Sequence, residues 1–184
     1  MMTEKKPRPP IMNPTVSSLG FQAANDGVDH INIYSKGATE LGRLLTHFAH
    51  KPFTHPYLGP FVSMEGLWYF IRNGGVDENL RYLSGIKAKN LGRQSDPKWY
   101  PDFRQDILAA NYQKIIQHED IREMMIASEL PFDHYYLFGP KQIPIAPRDS
   151  KWLVDGFEEI RKALKNNEVP QCWIEAEQRY INRL

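Results

Sequence analysis

Apolar residues recur every three to four positions along most of the chain, a spacing typical of amphipathic helices. The clearest pattern predicts a helix over 102–117, and another strong pattern predicts a helix over 151–165. Further helices are predicted over 39–49, 64–72, 78–91 with a break at 84–85, 118–128 and 170–183. For the helix over 64–72, Ser63 is the expected N-cap, and Asn73-Gly74-Gly75 is the expected stop.

Strands are predicted in only two places. Residues 30–34 alternate between apolar and polar side chains, and residues 132–138 are aromatic and β-prone. Residues 51–60 and 139–148 each contain three prolines and a glycine, which predicts loops. The predicted fold class is therefore α+β, a mostly helical single domain with a few short strands.

The chain is predicted to have three segments: an N-terminal arm over 1–28, a main domain over 29–166, and a C-terminal helical extension over 167–184 packed on that domain. Residues 1–14 carry Lys5, Lys6 and Arg8 among four prolines and lack the apolar core of a signal peptide. The sequence contains no run of 18 apolar residues. We therefore expect a cytoplasmic protein that does not bind membranes.

Composition narrows the possible functions. Among 184 residues, 23 Lys and Arg face 22 Asp and Glu, so the formal net charge is +1. Domains that bind polyanions by bulk charge carry a basic excess, although a local basic cleft is still allowed. The single Cys172 excludes an intramolecular disulfide framework and a cysteine-rich zinc site. Aromatic residues make up 12% of the chain and suggest candidates for stacking on a ring.

Three histidines lie close together at positions 47, 50 and 55. No neighbouring carboxylate or thiol completes a compact ligand set, so we interpret them as surface or hydrogen-bonding side chains. The chain also lacks a P-loop, a dinucleotide-binding glycine motif and a Gly-x-Ser-x-Gly motif. We therefore expect a site without a metal or a cofactor.

Three polar residues are candidates for chemistry, and each has two interpretations. Glu65 lies in an otherwise apolar stretch at a predicted helix start, so it is either a capping carboxylate or a general acid or base. Lys114 lies on a solvated helix face or directs its amine into a pocket. Asp149 is an N-cap with Trp152 as a core anchor, or the pair offers a carboxylate beside a ring for stacking.

Several short blocks, taken in order, resemble the NADAR (YbiA-like) family. The opening blocks are 31–35, 44–49, 52–53, Gly59 and 63–65; they are followed by 88–93, Trp99, 113–122 and 149–152. The resemblance covers about residues 30–155. The chain departs from the family pattern in four places, which are His47 for an asparagine, Gly66 for a histidine, Arg72 for a lysine, and Leu153 for a glycine.

The resemblance implies an N-glycoside hydrolase, with 29–166 as its catalytic domain, that removes ADP-ribose from a base, chiefly guanine in DNA modified by a bacterial toxin. A divergent anti-toxin of bacteria or phages would act in the host cytoplasm. N-glycosidic intermediates of the riboflavin pathway are the alternative substrates. A non-catalytic ADP-ribose-binding module and a structural protein that presents its aromatic surface also remain open.

Cleavage of a ribose C1–N bond requires a carboxylate near C1, a proton source and cations for the phosphates. Glu65 is the predicted central carboxylate, and Asp149 a second one. An amine from Lys114 or Lys36 could instead form a Schiff base with the opened ribose. The predicted substrate-binding residues are Ser35, Lys36, Arg43, His47, Phe48, Trp68, Arg72, Arg93 and Trp152, with Trp68 and Trp152 for stacking and Lys36, Arg43 and Arg93 for the diphosphate.

Overall fold

The protein is described by a computed structural model of residues 20–183. Within these residues the helices are α1 (Glu40–Leu45), α2 (Met64–Arg72), α3 (Gly85–Gly92), α4 (Phe103–Ile116), α5 (Glu119–Ala127), α6 (Lys151–Lys165) and α7 (Gln171–Ile181). Short 3-10 helices cover Ala23–Asn25 and Glu78–Tyr82. The strands are β1 (Ile31–Asn32), β2 (Phe53–His55), β3 (Gly59–Phe61), β4 (Phe132–Asp133), β5 (Tyr136–Phe138) and β6 (Ile143–Ile145). The predicted class, a mostly helical α+β domain, is confirmed.

Helix α4 is the centre of the fold. It packs against α2, α5, α6 and α7, and apolar residues such as Ile107, Ala110 and Ile115 are fully buried along it. A helix surrounded on all sides needs small or apolar residues around its whole circumference. Lys114 is 1% exposed, so the interpretation that places it on a solvated helix face is wrong.

The strands form three separate two-stranded sheets among the described residues. β1 pairs with β4 in parallel, and the hairpins β2–β3 and β5–β6 are antiparallel. The β2–β3 hairpin and strand β6 lie in regions predicted as loops because of their prolines, whereas β5 lies in the region predicted to be β-prone. A two-stranded ribbon has only edge strands, so Pro60 and Pro144 fit without breaking a central ladder. Gly59, with φ of 82°, allows the backbone to turn back at the first hairpin.

Both ends of the described chain lie against the main domain. Helix α7 contributes Cys172, Trp173 and Tyr180 to the same hydrophobic cluster as α4 and α6. Near the other end, the Asp26 carboxylate accepts hydrogen bonds from the backbone amides of Asn32 (2.9 Å) and Ala38 (2.7 Å). The predicted arm boundary at residue 28 therefore falls within a packed segment, and residues 1–19 of the predicted arm lie outside the described part. No helix within residues 20–183 is long and apolar enough to cross a membrane.

Candidate functional site

A cavity of about 460 Å³ opens where six parts of the chain meet. These are the turn after β1, the residues after α1, the start of α2, one face of α3, the segment from His134 into β5, and the start of α6 at Leu153. Five candidate residues from the sequence line it: Ser35, Lys36, His47, Phe48 and Glu65. A volume of this size is within the usual range for small-molecule sites.

Glu65 occupies the second position of α2, and the local sequence explains why its carboxyl is available. Ser63 is the N-cap: its hydroxyl accepts a hydrogen bond from the Gly66 amide (3.0 Å) and donates one to the Leu83 carbonyl (2.8 Å). The backbone amide of Glu65 donates to the His47 carbonyl (2.9 Å). Ser63 therefore caps the helix without help from the glutamate side chain, so Glu65 does not form a capping box.

Glu65 is 8% exposed, and its carboxyl forms no hydrogen bond with the other residues of the described range 20–183. Burial raises the pKa of Glu65 from 4.5 to about 7, although the charges of Lys89 and Arg93 act in the opposite direction. An acid with such a pKa is half protonated near neutral pH. It can therefore both donate and accept a proton in this cavity.

Two imidazoles line the cavity with Glu65, and their hydrogen bonds define their tautomers. His134 Nδ1 lies 2.6 Å from the Ile33 carbonyl oxygen, which can only accept, so Nδ1 carries the proton and Nε2 has a free lone pair. His47 Nε2 lies 3.1 Å from the Asn111 amide nitrogen, which can only donate, so the His47 proton is on Nδ1. Burial, followed by the charge of Lys114, lowers the pKa of His47 to about 3, and burial also lowers the pKa of His134.

Lys114 lies beside the cavity but is not part of its lining. Its ammonium donates to the carbonyl oxygens of Leu44 (2.6 Å) and Thr46 (3.2 Å), the residues that lead to His47. Burial and the charge of Lys51 lower its pKa to about 7. This arrangement makes Lys114 a positioning residue that fixes the segment carrying His47 and Phe48, and its amine is already occupied by two carbonyls.

Some of the predicted phosphate-binding cations lie at the cavity, and others donate hydrogen bonds to backbone carbonyls outside it. Lys36 lines the cavity, and the charge of Arg93, an exposed residue, acts on Glu65. Arg43 instead donates to the carbonyls of Gly37 and Ala38 (both 2.8 Å), which braces the turn that carries Lys36. Arg72 donates to the carbonyls of Gly92 (3.1 Å) and Ser95 (3.3 Å) and does not line the cavity.

Asp149, Trp68 and Trp152 do not line the Glu65 cavity; they line a separate cleft of about 390 Å³. Asp149 is not the N-cap of α6, because Ser150 occupies that position and Asp149 precedes it with φ of 56°. The Asp149 carboxylate forms an ion pair with Arg104. Asp149 and Trp152 therefore line the same cleft, but this cleft is separate from the cavity that contains Glu65.

The sequence did not identify several residues of the cavity lining. Lys89 lies in block 88–93 of the family resemblance but was not predicted to be a site residue. The other missed residues lie on short strands or in turns: Tyr34, Thr46, His134 and Tyr136. A usable signal existed for His134, since it follows directly after a buried two-residue strand. Polar residues at strand ends are frequent site residues in sheets with parallel pairing.

The histidine trio is dispersed in the structure. His55 is fully buried between Trp173 and Tyr180, and its Nδ1 accepts from the backbone amides of Tyr57 and Leu58 (both 3.3 Å). His50 is exposed. Within residues 20–183, no group of three His, Cys, Asp or Glu side chains could hold a metal ion.

One departure from the family pattern has a physical cause. The backbone of the 3-10 helix Glu78–Tyr82 lies so close to Gly66 that a Cβ there would collide with the Leu80 carbonyl oxygen. A histidine at position 66 would require this segment to move away from α2. The glycine is therefore matched to the local packing of this chain.

Comparison of the chain with family models, with curated proteins and with solved structures gives no match. The resemblance to the NADAR family therefore stays a prediction from its motifs. The fold and site define an α+β domain with a buried, unpaired carboxyl in a small-molecule cavity.

Proposed function

We propose that this protein is an N-glycoside hydrolase that removes ADP-ribose from a modified base, with ADP-ribosyl-guanine in DNA as the preferred substrate. The observation that carries the proposal is the Glu65 carboxyl, which is buried, has no partner among the described residues and has a pKa of about 7. The cavity also supplies amines from Lys36 and Lys89 and neutral imidazoles from His47 and His134. The motif resemblance supplies the substrate class.

Glu65 acts as the general acid in this proposal. Departure of a base from ribose C1 leaves electrons on the base nitrogen, and a carboxyl group at that nitrogen lowers the barrier by giving it a proton. Apolar burial keeps a fraction of Glu65 protonated near neutral pH, which a surface glutamate would not achieve. The cavity thus prepares the acid before the substrate arrives.

His134 provides the complementary base. Its free Nε2 accepts a proton from the water that attacks C1. The water oxygen forms a bond to C1, the C1–N bond breaks, the Glu65 proton moves to the leaving nitrogen, and the water proton moves to His134. A proton then returns from His134 to Glu65 through solvent, so the cycle closes without a metal or a cofactor.

The phosphates of the substrate would be held by Lys36 and Lys89, with Arg93 nearby. All three have basic side chains, and cations placed at a diphosphate supply both affinity and orientation. Lys89 also lies 5.4 Å from the ring centroid of Phe48, another cavity residue. A covalent route through an amine would use Lys36, because the Lys114 ammonium is held by two backbone carbonyls outside the lining.

A second candidate activity is hydrolysis of a riboflavin-pathway nucleotide intermediate. The observation that favours it is the size of the cavity, since about 460 Å³ is toward the lower end of the usual range for ligand pockets. The tryptophans predicted to stack on adenine also lie outside this cavity. A phosphoribosyl compound has no adenine to accommodate.

A substrate panel tests the proposal. The purified protein is incubated with an ADP-ribosyl-guanine oligonucleotide, ADP-ribosylated protein and riboflavin-pathway nucleotides, and the products are identified by mass spectrometry. We expect release of free ADP-ribose and restoration of guanine in the oligonucleotide, and no adduct at Lys114 when borohydride is added. Release from the riboflavin-pathway compounds alone would establish the second candidate. Binding of ADP-ribose without turnover of any substrate would contradict both activities.

A further inference from the structure

The cleft of about 390 Å³ beside the Glu65 cavity has an unusual aromatic lining. Three tryptophans, Trp68, Trp99 and Trp152, line it together with Tyr100 and Phe103. The rings of Trp68 and Trp152 stack with a centroid separation of 6.2 Å and an interplanar angle of 24°. These two tryptophans are partly buried in the hydrophobic core, so their packing alone could explain them.

Trp99 differs from these two tryptophans because its side chain is not part of the hydrophobic core. It is 60% exposed, on the polar stretch that precedes α4, although its ring contacts Phe103 with a centroid separation of 4.9 Å. A large exposed indole in a concave aromatic site is a typical binding platform. Since most of the ring faces solvent, folding does not account for its presence.

The charges around the cleft favour an anionic ligand. Arg104 and Arg148 line it, with Asp149 as the one carboxylate in the lining; Asp149 forms an ion pair with Arg104, so the lining carries one more cation than carboxylates. The guanidinium of Arg104 lies 5.6 Å from the Trp152 ring centroid, and that of Arg72 lies 5.8 Å from the Trp99 ring centroid. Exposed aromatic rings flanked by arginines are the combination that holds the bases and phosphates of single-stranded nucleic acid.

The cleft also adjoins the reaction cavity. Trp68, on α2, lies in the cleft, and its ring centroid is 5.5 Å from that of His47, which lines the Glu65 cavity. A strand that presents one base to the cavity can therefore place a neighbouring base in the cleft. Stacking would also suit a chain with a net charge of only +1, because it adds affinity without many phosphate contacts.

We infer that the cleft formed by Trp68, Trp99 and Trp152 is a binding site for an unpaired nucleobase of single-stranded DNA, next to the base in the Glu65 cavity. Trp99 supplies the exposed stacking face, and Arg104 contacts the adjoining phosphate. This inference rests on the proposed function for the identity of the neighbouring base. The binding of a DNA strand to the cleft itself does not require catalysis.

The binding test uses a thymidine oligonucleotide of about eight nucleotides and follows the quenching of tryptophan fluorescence. We expect Trp99→Ala to weaken binding roughly tenfold, the typical loss when one stacking platform is removed. Tyr82→Ala is the matched control, because Tyr82 is also an exposed aromatic residue (73%) but does not line the cleft. Equal affinity for the wild type and Trp99→Ala, or binding of a proline-rich peptide in place of the oligonucleotide, overturns the inference.

An activity test separates this inference from the proposed function. The substrates are an ADP-ribosyl-guanine oligonucleotide and the matching free nucleoside. The KM for the oligonucleotide divided by the KM for the nucleoside is expected to rise roughly tenfold in Trp99→Ala and to stay unchanged in Tyr82→Ala. An unchanged ratio in Trp99→Ala contradicts the nucleobase site while the hydrolase stands. Failure of the wild type to hydrolyse either substrate contradicts the proposed function, and the fluorescence titration still decides on the cleft.

Discussion

Glu65→Gln is expected to lower kcat about 10²- to 10⁴-fold on ADP-ribosyl-guanine DNA, the range that a general acid contributes. Glutamine preserves the size of the side chain, but its amide has no acidic proton to give to the leaving nitrogen. The carboxyl forms no hydrogen bond with the described residues, and Ser63 caps α2, so the substitution removes no hydrogen bond that holds α2 in place. Steady-state rates measured with the purified variant, together with its circular dichroism spectrum, provide the measurement.

The matched control for this variant is Glu40→Gln. Glu40 is also an acid in the first turn of a helix, α1, but it is exposed and does not line the cavity. Its replacement is expected to leave kcat within about twofold of the wild type, because surface substitutions away from special features have small effects. If Glu65→Gln retained activity close to that of Glu40→Gln, Glu65 would not be the acid.

The wild type and Glu65→Gln are expected to differ in how their free energy of unfolding depends on pH. Burial raises the folded-state pKa of Glu65 to about 7, above its unfolded value of 4.5. The stability from burying the neutral acid is therefore fully present below pH 4.5 and is lost as the pH rises through 7. The wild type should lose ~3 kcal/mol of unfolding free energy relative to Glu65→Gln between about pH 4 and pH 8.

Urea unfolding of both proteins at each pH provides this comparison. Lys114 and His47 also have lowered pKa values, but both residues are present in the two proteins, so their contributions largely cancel in the difference. A constant difference across this pH range would mean that the carboxyl is as well solvated in the folded protein as in the unfolded chain. The basis for assigning it an acid role would then be lost.

The elements that could be predicted from the sequence are those with local signals. Helix α2 begins after Ser63 and ends before Asn73 as predicted, because the N-cap and the following glycines are adjacent to it in the chain. Glu65 was identified as a candidate because a lone acid in an apolar run is itself a local anomaly. The break between the 3-10 helix and α3 was likewise marked by Ser84 and Gly85.

The parts that could not be predicted depend on contacts between distant segments. The role of Lys114 is set by the carbonyls of Leu44 and Thr46, about seventy residues away, which no helical periodicity reveals. His134 becomes part of the cavity only because β4 pairs with β1 and positions its Nδ1 at the Ile33 carbonyl. The assignment of Trp152 and Asp149 to a separate cleft follows from the packing of α6 against α4.

The departures from the family pattern differ in what they mean physically. Gly66 is required by the approach of the Leu80 carbonyl, and Arg72 braces the backbone after α3, so both belong to the packing of this chain. His47 and Leu153 both line the cavity, and His47 changes its polar chemistry, because it places a neutral imidazole where the pattern has an amide. We therefore expect His47 to affect substrate choice more than the other departures do.

The pH dependence of kcat/KM for wild-type hydrolysis of the ADP-ribosyl-guanine oligonucleotide tests the central claim most directly. With Glu65 as the proton donor, kcat/KM should be level below about pH 6, bend at an apparent pKa of about 7 and fall about tenfold per pH unit above it, and Glu65→Gln should lack that fall. A kcat/KM that instead rises through pH 7 would show that the carboxylate form is the active one, and would contradict the role of Glu65 as the acid.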